Sequence, residues 1–217
     1  MEWIKTGDSR FRWMMPGESV DQKKVVLVEQ GMENMIGMTE EKIKPITIHG
    51  RKVIKREQIL DSKVMGNRQD ITIVERESFK PVSYFSYTDD MQIEAMYQNH
   101  HVLIRKGTEK KTIQLKNQGC FDSFSVEMLL RLLPLQTGHI FRLHAFHAHA
   151  EQEMMIQIEV EGKEEVTAGK NNLSTAWKVK TCFGTKPQYY WIDGMTREIL
   201  KQAASVGKGV HLEFRRW

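Results

Sequence analysis

Cysteine is scarce: the 217 residues hold two, Cys120 and Cys182. Neither belongs to a CxxC spacing and there is no second pair, so the chain is not a disulfide scaffold. One bridge or two buried free thiols satisfy the pattern. The strand-like and pre-helical contexts of the two favour thiols, and nothing demands an oxidising compartment. No window has the apolar length of a membrane span. The opening MEWIKTGDSRFRW lacks an apolar signal-peptide core. As it stands the sequence reads as cytoplasmic; a leader ahead of Met1 would make it extracytoplasmic. Charge of one sign is lacking too. Lys plus Arg number 32 against 28 Asp plus Glu, a net of +4, and the two signs are interspersed. Solvated strand faces look like this, and no nucleic-acid partner is expected.

Signatures of catalysis are also missing. There is no GxSxG, no HExxH, no Walker loop and no GxGxxG, and Gly207-Lys208-Gly209 is too short to cradle a phosphate. Neither cysteine has an adjacent histidine to lower its thiol pKa. Asp89-Asp90 reads as a turn and Glu164-Glu165 as a charged shoulder that keeps a strand edge soluble. Ser123 and Ser125 read as helix caps, not nucleophiles. The expectation is a non-enzyme, with no catalytic residue and no cofactor.

What the chain does have is alternation. Met154 to Asp193 reads as a run, a turn at Glu161-Gly162, a second run, a Gly-containing corner and two more runs. That is an antiparallel meander. Residues 43–60 read as two strands around His49-Gly50, where glycine supplies the positive φ of a tight hairpin. Met91, Ile93, Ala95 and Tyr97 share one side of another strand. Period-two patterns with polar opposite faces mark antiparallel sheet with one wet face. Residues 24–38 hold the strand-like VVLVEQ, then a Gly- and Met-rich run that fits neither period and reads as a loop or short helical turn. TREILKQAASVGKG reads as a strand with a turn, or as a short helix. Met128, Leu129, Leu132 and Leu133 recur at helical spacing, and Pro134 ends that helix. The fold class is therefore mainly β: a large curved antiparallel sheet, a half-barrel or open barrel, with one main α-helix. The chain forms a single domain over 1–217. Residues 1–40 are an N-terminal arm and edge strand that tucks Trp3, Phe11 and Trp13 onto the body. Residues 43–217 are the curved sheet, with the helix near 123–134.

Short motifs sharpen this. Asp122 to Ser125 forms an Asp-x-x-Ser helix start, leading to Arg131-Leu132-Leu133-Pro134-Leu135. Gly162 to Gly169 forms a Gly-Lys-Glu-x-Val-x-x-Gly corner, and Tyr190-Trp191 precedes Arg197 to Leu200. Over residues 70 to 205 this order resembles a bacterial domain-of-unknown-function family of envelope proteins. The resemblance implies a curved antiparallel sheet similar to the lipoprotein-carrier (LolA/LolB-like) half-barrel, where a sheet wraps an apolar hollow closed by a helix. It implies no established activity.

Three functional readings follow. In the first, the chain is a non-catalytic binding protein holding a lipid or other hydrophobic ligand between sheet and helix. Tyr84, Tyr97, Met128, Leu132, Trp177 and Trp191 are its candidate liners, made adaptable by thirteen methionines. Plain core packing is the competing reading of the same residues. In the second, His147 and His149 bind a metal, as a metal-binding protein or metal-dependent enzyme. Along a strand they face one way about 7 Å apart, with Glu151 or Glu153 in register. Polar positions on the wet face are the competing reading here. In the third, a structural or interaction protein recruits a protein partner through a free sheet edge. Oligomeric state is left open.

Overall fold

Residues two apart that share a polarity can bury one face only if their segments pair side by side, and here they do so almost throughout. The computed structural model describes residues 1–9, 17–169 and 172–217. Of the described residues, 67% are strand and 4% helix, so the sheet carries the fold. After a two-residue strand β1 (Glu2–Trp3) comes a meander: β2 (Ser19–Glu29), β3 (Met32–Ile48), β4 (Arg51–Asp61), β5 (Arg68–Glu75), β6 (Pro81–Thr88), β7 (Gln92–Gln98), β8 (His101–Lys106) and β9 (Glu109–Gln114). A short β10 (Phe121–Asp122), a 3-10 turn (Ser123–Ser125) and helix α1 (Val126–Leu130) lead to a second meander. Its strands are β11 (Ile140–His147), β12 (Gln152–Ala168), β13 (Asn172–Phe183), β14 (Lys186–Asp193), β15 (Ile199–Gly207) and β16 (Val210–Arg216). Antiparallel pairing of β16 with β2 fuses the two meanders into one open sheet. Among the described residues only β1 and β10 pair in parallel, both on the edge of β11 away from β12.

The hairpin at His49-Gly50 forms as expected, with φ of 48° and 77° at its two corner residues. Two other expectations fail for one reason, the β-bulge. Residues 32–38 are not a loop or helical turn but the first part of β3. Val25 pairs Gly37 and Val26 pairs Met35, so Ile36 is an extra residue that breaks the period of two. Likewise Glu161-Gly162 is no turn. Val160 pairs Val179 and Gly162 pairs Lys178, which leaves Glu161 bulged out of a continuous β12. The TREILKQAASVGKG segment resolves to strand β15 with a turn.

The N-terminal arm is shorter than expected. Trp3 stays about half exposed and stacks on His144 at 4.9 Å, while Ile4 enters the core. Phe11 and Trp13 lie outside the described residues. β2 and β3 sit mid-sheet, each hydrogen-bonded on both sides.

The helix is also shorter than 123–134. Neither serine caps it: Asp122 accepts the Phe124 N–H at 2.9 Å and caps the 3-10 turn, while Ser125 Oγ donates to the Asp122 carbonyl. Five residues of helix have little stability alone, so burial holds them. Val126, Met128, Leu129 and Leu130 are all buried, as are Leu132 and Leu133 beyond the helix. They pack on Ile54, Val74, Phe141, Leu143, Ile156, Ile158 and Val179 of the curled sheet. Each such side chain contributes roughly 1.5–3 kcal/mol.

The two ends of the sheet meet without a ladder between them. Side chains close the seam instead. Lys106 donates to the His149 carbonyl at 2.8 Å and pairs with Glu151, which also holds Lys111 at 2.9 Å. The Glu153 carboxylate accepts from the backbone of Lys116 and Asn117 and from the Asn117 amide at 2.6 Å. Both cysteines are free, with Cys120 buried.

At the first bulge, the chain after β4 crosses β3 directly above Gly37. A Cβ there would lie 2.4 Å from the Asp61 carbonyl oxygen and 2.7 Å from Ser62 Cβ. Gly37→Ala therefore costs about 1–3 kcal/mol, read as a lower urea midpoint. An unchanged midpoint would show that this crossing is loose.

Candidate functional site

A cavity of about 700 Å³ opens beside the helix start, between the 3-10 turn, β4, β14, β15 and the turn after β13. Its walls are of two kinds. Phe124, Met154, Phe183 and Tyr190 give apolar surface, while Arg56, Arg68, Glu127, His147 and four glutamines give polar surface. Strand register puts the polar groups there. Arg56 and Gln58 are two apart on β4, and Gln58 lies opposite Asp70 of β5. Gln188 and Tyr190 are two apart on β14, with Gln202 of β15 opposite Tyr190. His147 of β11 faces Gln152 of β12. A recess of about 70 Å³ shares Gln58, Arg68, Glu127 and Gln202 with the cavity and adds Thr39 and Asp70.

Arg56 lies beneath the cavity and is 2% exposed. Its guanidinium binds Glu41 of β3 at 2.5 Å, the Phe124 carbonyl at 3.2 Å, and Glu127 of α1. Burial opposes both charges of the Arg56–Glu41 pair, and their mutual attraction wins: Arg56 is held above its ordinary pKa and Glu41 below. Arg68 sits 2.8 Å from Asp70, an ion pair not aligned as a hydrogen bond.

The histidines belong to two networks. Tyr84 donates to Asp70 at 2.8 Å, which uses its one proton, so His149 Nε2–H donates to the Tyr84 oxygen at 2.9 Å. Ser123 Oγ meets His147 Nδ1 at 3.1 Å. Burial, then nearby lysine charge, lowers His147; burial also leads the lowering of His149. Strand β11 ends at His147, so His149 lies in the following turn, with ring centroids 5.9 Å apart. Glu151 and Glu153 are committed to the seam. Among the described residues no three His, Cys, Asp or Glu side chains are placed to hold a metal.

The six residues expected to line a hydrophobic hollow are not brought together. Met128 and Leu132 are buried in the main core, with Trp177 packed against it. Tyr84 is buried in a second cluster, and Tyr97 packs on that cluster with its hydroxyl unpartnered among the described residues. Trp191 follows inward-facing Tyr190 and so turns to the outer face, where it packs with Val166 and Leu200 and donates to Glu164 at 2.9 Å. His147 alone of the named residues lines the large cavity. Sequence reasoning missed Arg56 and the glutamines. Their signal was present: Ile54, Arg56, Gln58 and Leu60 share one face, so a charge and an amide sit between buried apolar residues. The edge strand β9 carries Glu109, Lys110 and Lys111, charges that discourage strand addition.

The motifs of the sequence tie the chain around the helix. Arg131 donates to the Arg197 carbonyl at 3.0 Å and Arg197 to the Leu133 carbonyl at 3.1 Å. An unclosed, strongly curled antiparallel sheet with a buried helical turn and a lateral cavity defines a β-barrel-like protein. The chain belongs to the family described as Protein of unknown function (DUF3108), whose model matches residues 3–215. Its fold is similar to the crystal structure of a β-barrel-like protein of domain of unknown function DUF1849 from Brucella abortus. The TM-score is 0.59 at 10% identity, covering 93% of this chain and 96% of that one. A DUF1089 family protein from Pseudomonas aeruginosa aligns over 87% of each chain at 11% identity, but its TM-score of 0.21 carries no weight. No curated protein matches the chain.

Two outcomes follow from this charge arrangement. Arg56→Met strands two carboxylates and costs about 3–5 kcal/mol in urea unfolding. Adding Glu41→Gln and Glu127→Gln recovers part of that; no recovery would mean Arg56 acts through packing alone. The second concerns Asp122, which is fully buried with one carboxylate oxygen unpartnered among the described residues. Burial raises its pKa from 3.8 to about 7, against the Phe124 N–H and Arg56. Between those values the folded chain binds more protons than the unfolded one, so this group's contribution falls as pH rises. Asp122→Asn keeps the acceptor for Phe124. Its stability relative to the parent should grow from about pH 4 and level off above about pH 7. A difference independent of pH would show that Asp122 ionises normally.

Proposed function

We propose that this protein is a non-catalytic binding protein and that its ligand is amphipathic, lodged in the cavity beside the helix. The observation that carries the reading is the cavity itself. Its volume of about 700 Å³ falls within the ~300–1,000 Å³ usual for small-molecule sites. Apolar walls with a few converging polar groups are the usual make-up of such sites. The space directly between sheet and helix is filled by Met128, Leu129 and Leu132, so the ligand lies beside the helix, not beneath it. If the fold works as the lipoprotein-carrier half-barrels that the sequence motifs resemble, the cargo is hydrophobic, in a site shifted towards the Phe183–Lys186 turn.

The test is displacement of a fluorescent fatty-acid probe, with native mass spectrometry of the purified protein. Met154→Asp places a charge on the apolar wall and should weaken probe binding about tenfold or more, with little change in melting because Met154 is only partly buried. Full-strength binding to that variant would remove the site from this cavity.

A further inference from the structure

We propose that the polar end of the ligand is an uncharged, hydroxyl-bearing glycosyl group read by the glutamines of the cavity; this rests on the binding reading above. The charged groups of the inner wall are already neutralised within the protein. Arg56 is matched by Glu41 and Glu127, and Arg68 by Asp70. Lys186 is exposed at the rim, where water screens it. Arg68 keeps N–H donors that make no hydrogen bond among the described residues, and a hydroxyl oxygen can accept from them; the other uncommitted groups of the wall are neutral. Gln58 makes no side-chain hydrogen bond among the described residues, while Gln152 is exposed at the mouth and is left to water. Gln188 Oε1 accepts from the Tyr190 hydroxyl at 2.7 Å and from Gln202 Nε2 at 3.3 Å. Among the described residues those contacts leave the Gln188 amide N–H groups and the Gln202 amide oxygen free.

An amide presents donors and an acceptor together, so it is satisfied by a partner that also does both. A hydroxyl does. A carboxylate or phosphate offers acceptors only, would leave the amide oxygens of Gln58 and Gln202 unpaired, and would meet Asp70 and Glu127 in the recess. An ammonium head would leave the amide N–H groups unpaired and would meet Arg56 and Arg68. A sugar ring has hydroxyls around its rim and C–H faces above and below. Those faces suit the part-buried Phe124 ring in the same wall, and an alkyl aglycone would run along Met154 and Phe183.

Titration calorimetry of the full chain tests this with an alkyl glucoside, alkanol, alkyl carboxylate and alkyl phosphate of one chain length, below their micelle concentrations. The expected order places the glucoside about tenfold or more ahead of the others. Gln202→Leu and, separately on another strand, Gln58→Leu should each remove most of that preference, read as the ratio of glucoside to alkanol affinity. Tighter binding of the carboxylate or phosphate, lost in Lys186→Gln, would replace this proposal with an anionic ligand. Equal binding of all four, or a glucoside preference indifferent to both glutamine variants, overturns it and leaves the cavity reading standing. If none of the four binds, the cavity reading itself falls.

Discussion

A single guanidinium joins the parts of this protein. Arg56 reaches from mid-sheet to Glu41 on the neighbouring strand and to Glu127 and the Phe124 carbonyl on the helical segment. Burying an arginine is costly unless every charge nearby is matched. The match exists only when the sheet has curled far enough to bring β3, β4 and α1 together. The ionic cluster therefore acts as a check on the curl, and the apolar packing around it supplies most of the stability. A five-residue helix has no independent existence; it is an insert held by its surroundings.

Curling brings the two ends of the sheet together but does not pair them. Among the described residues they are joined by Lys106 of β8, Lys111 of β9, Glu151 of the turn after β11 and Glu153 of β12, not by a ladder. An open sheet leaves room that a closed barrel would fill with strand side chains, and the cavity beside the helix occupies that room. The same openness separates the apolar core from the polar inner wall. Core residues gather under the helix, while Gln58, Gln188 and Gln202 face the cavity next to it.

Much of the sheet was legible because side chains two apart agree in polarity over most of the chain. The hairpin at His49-Gly50 and the strands of the second meander could be read directly. Reading failed where one residue was inserted. Ile36 and Glu161 each shift the period by one, which made a strand look like a loop in one case and like a turn in the other. Candidate site residues fared less well. Aromatic and methionine content identifies apolar surface but not which side of the sheet it covers. Trp191 went to the outer face, Met128 to the core, and neither to the cavity.

By itself the sequence determined a mainly antiparallel sheet, a helical break near Asp122 and the hairpin corners, because these rest on local periodicity and on the φ that a residue tolerates. Tertiary structure decided how far the sheet curls, that Arg56 is buried and matched, and that four glutamines from separate strands face one cavity. Those facts depend on which strands become neighbours and on the register between them. Neither is written in any local stretch of chain.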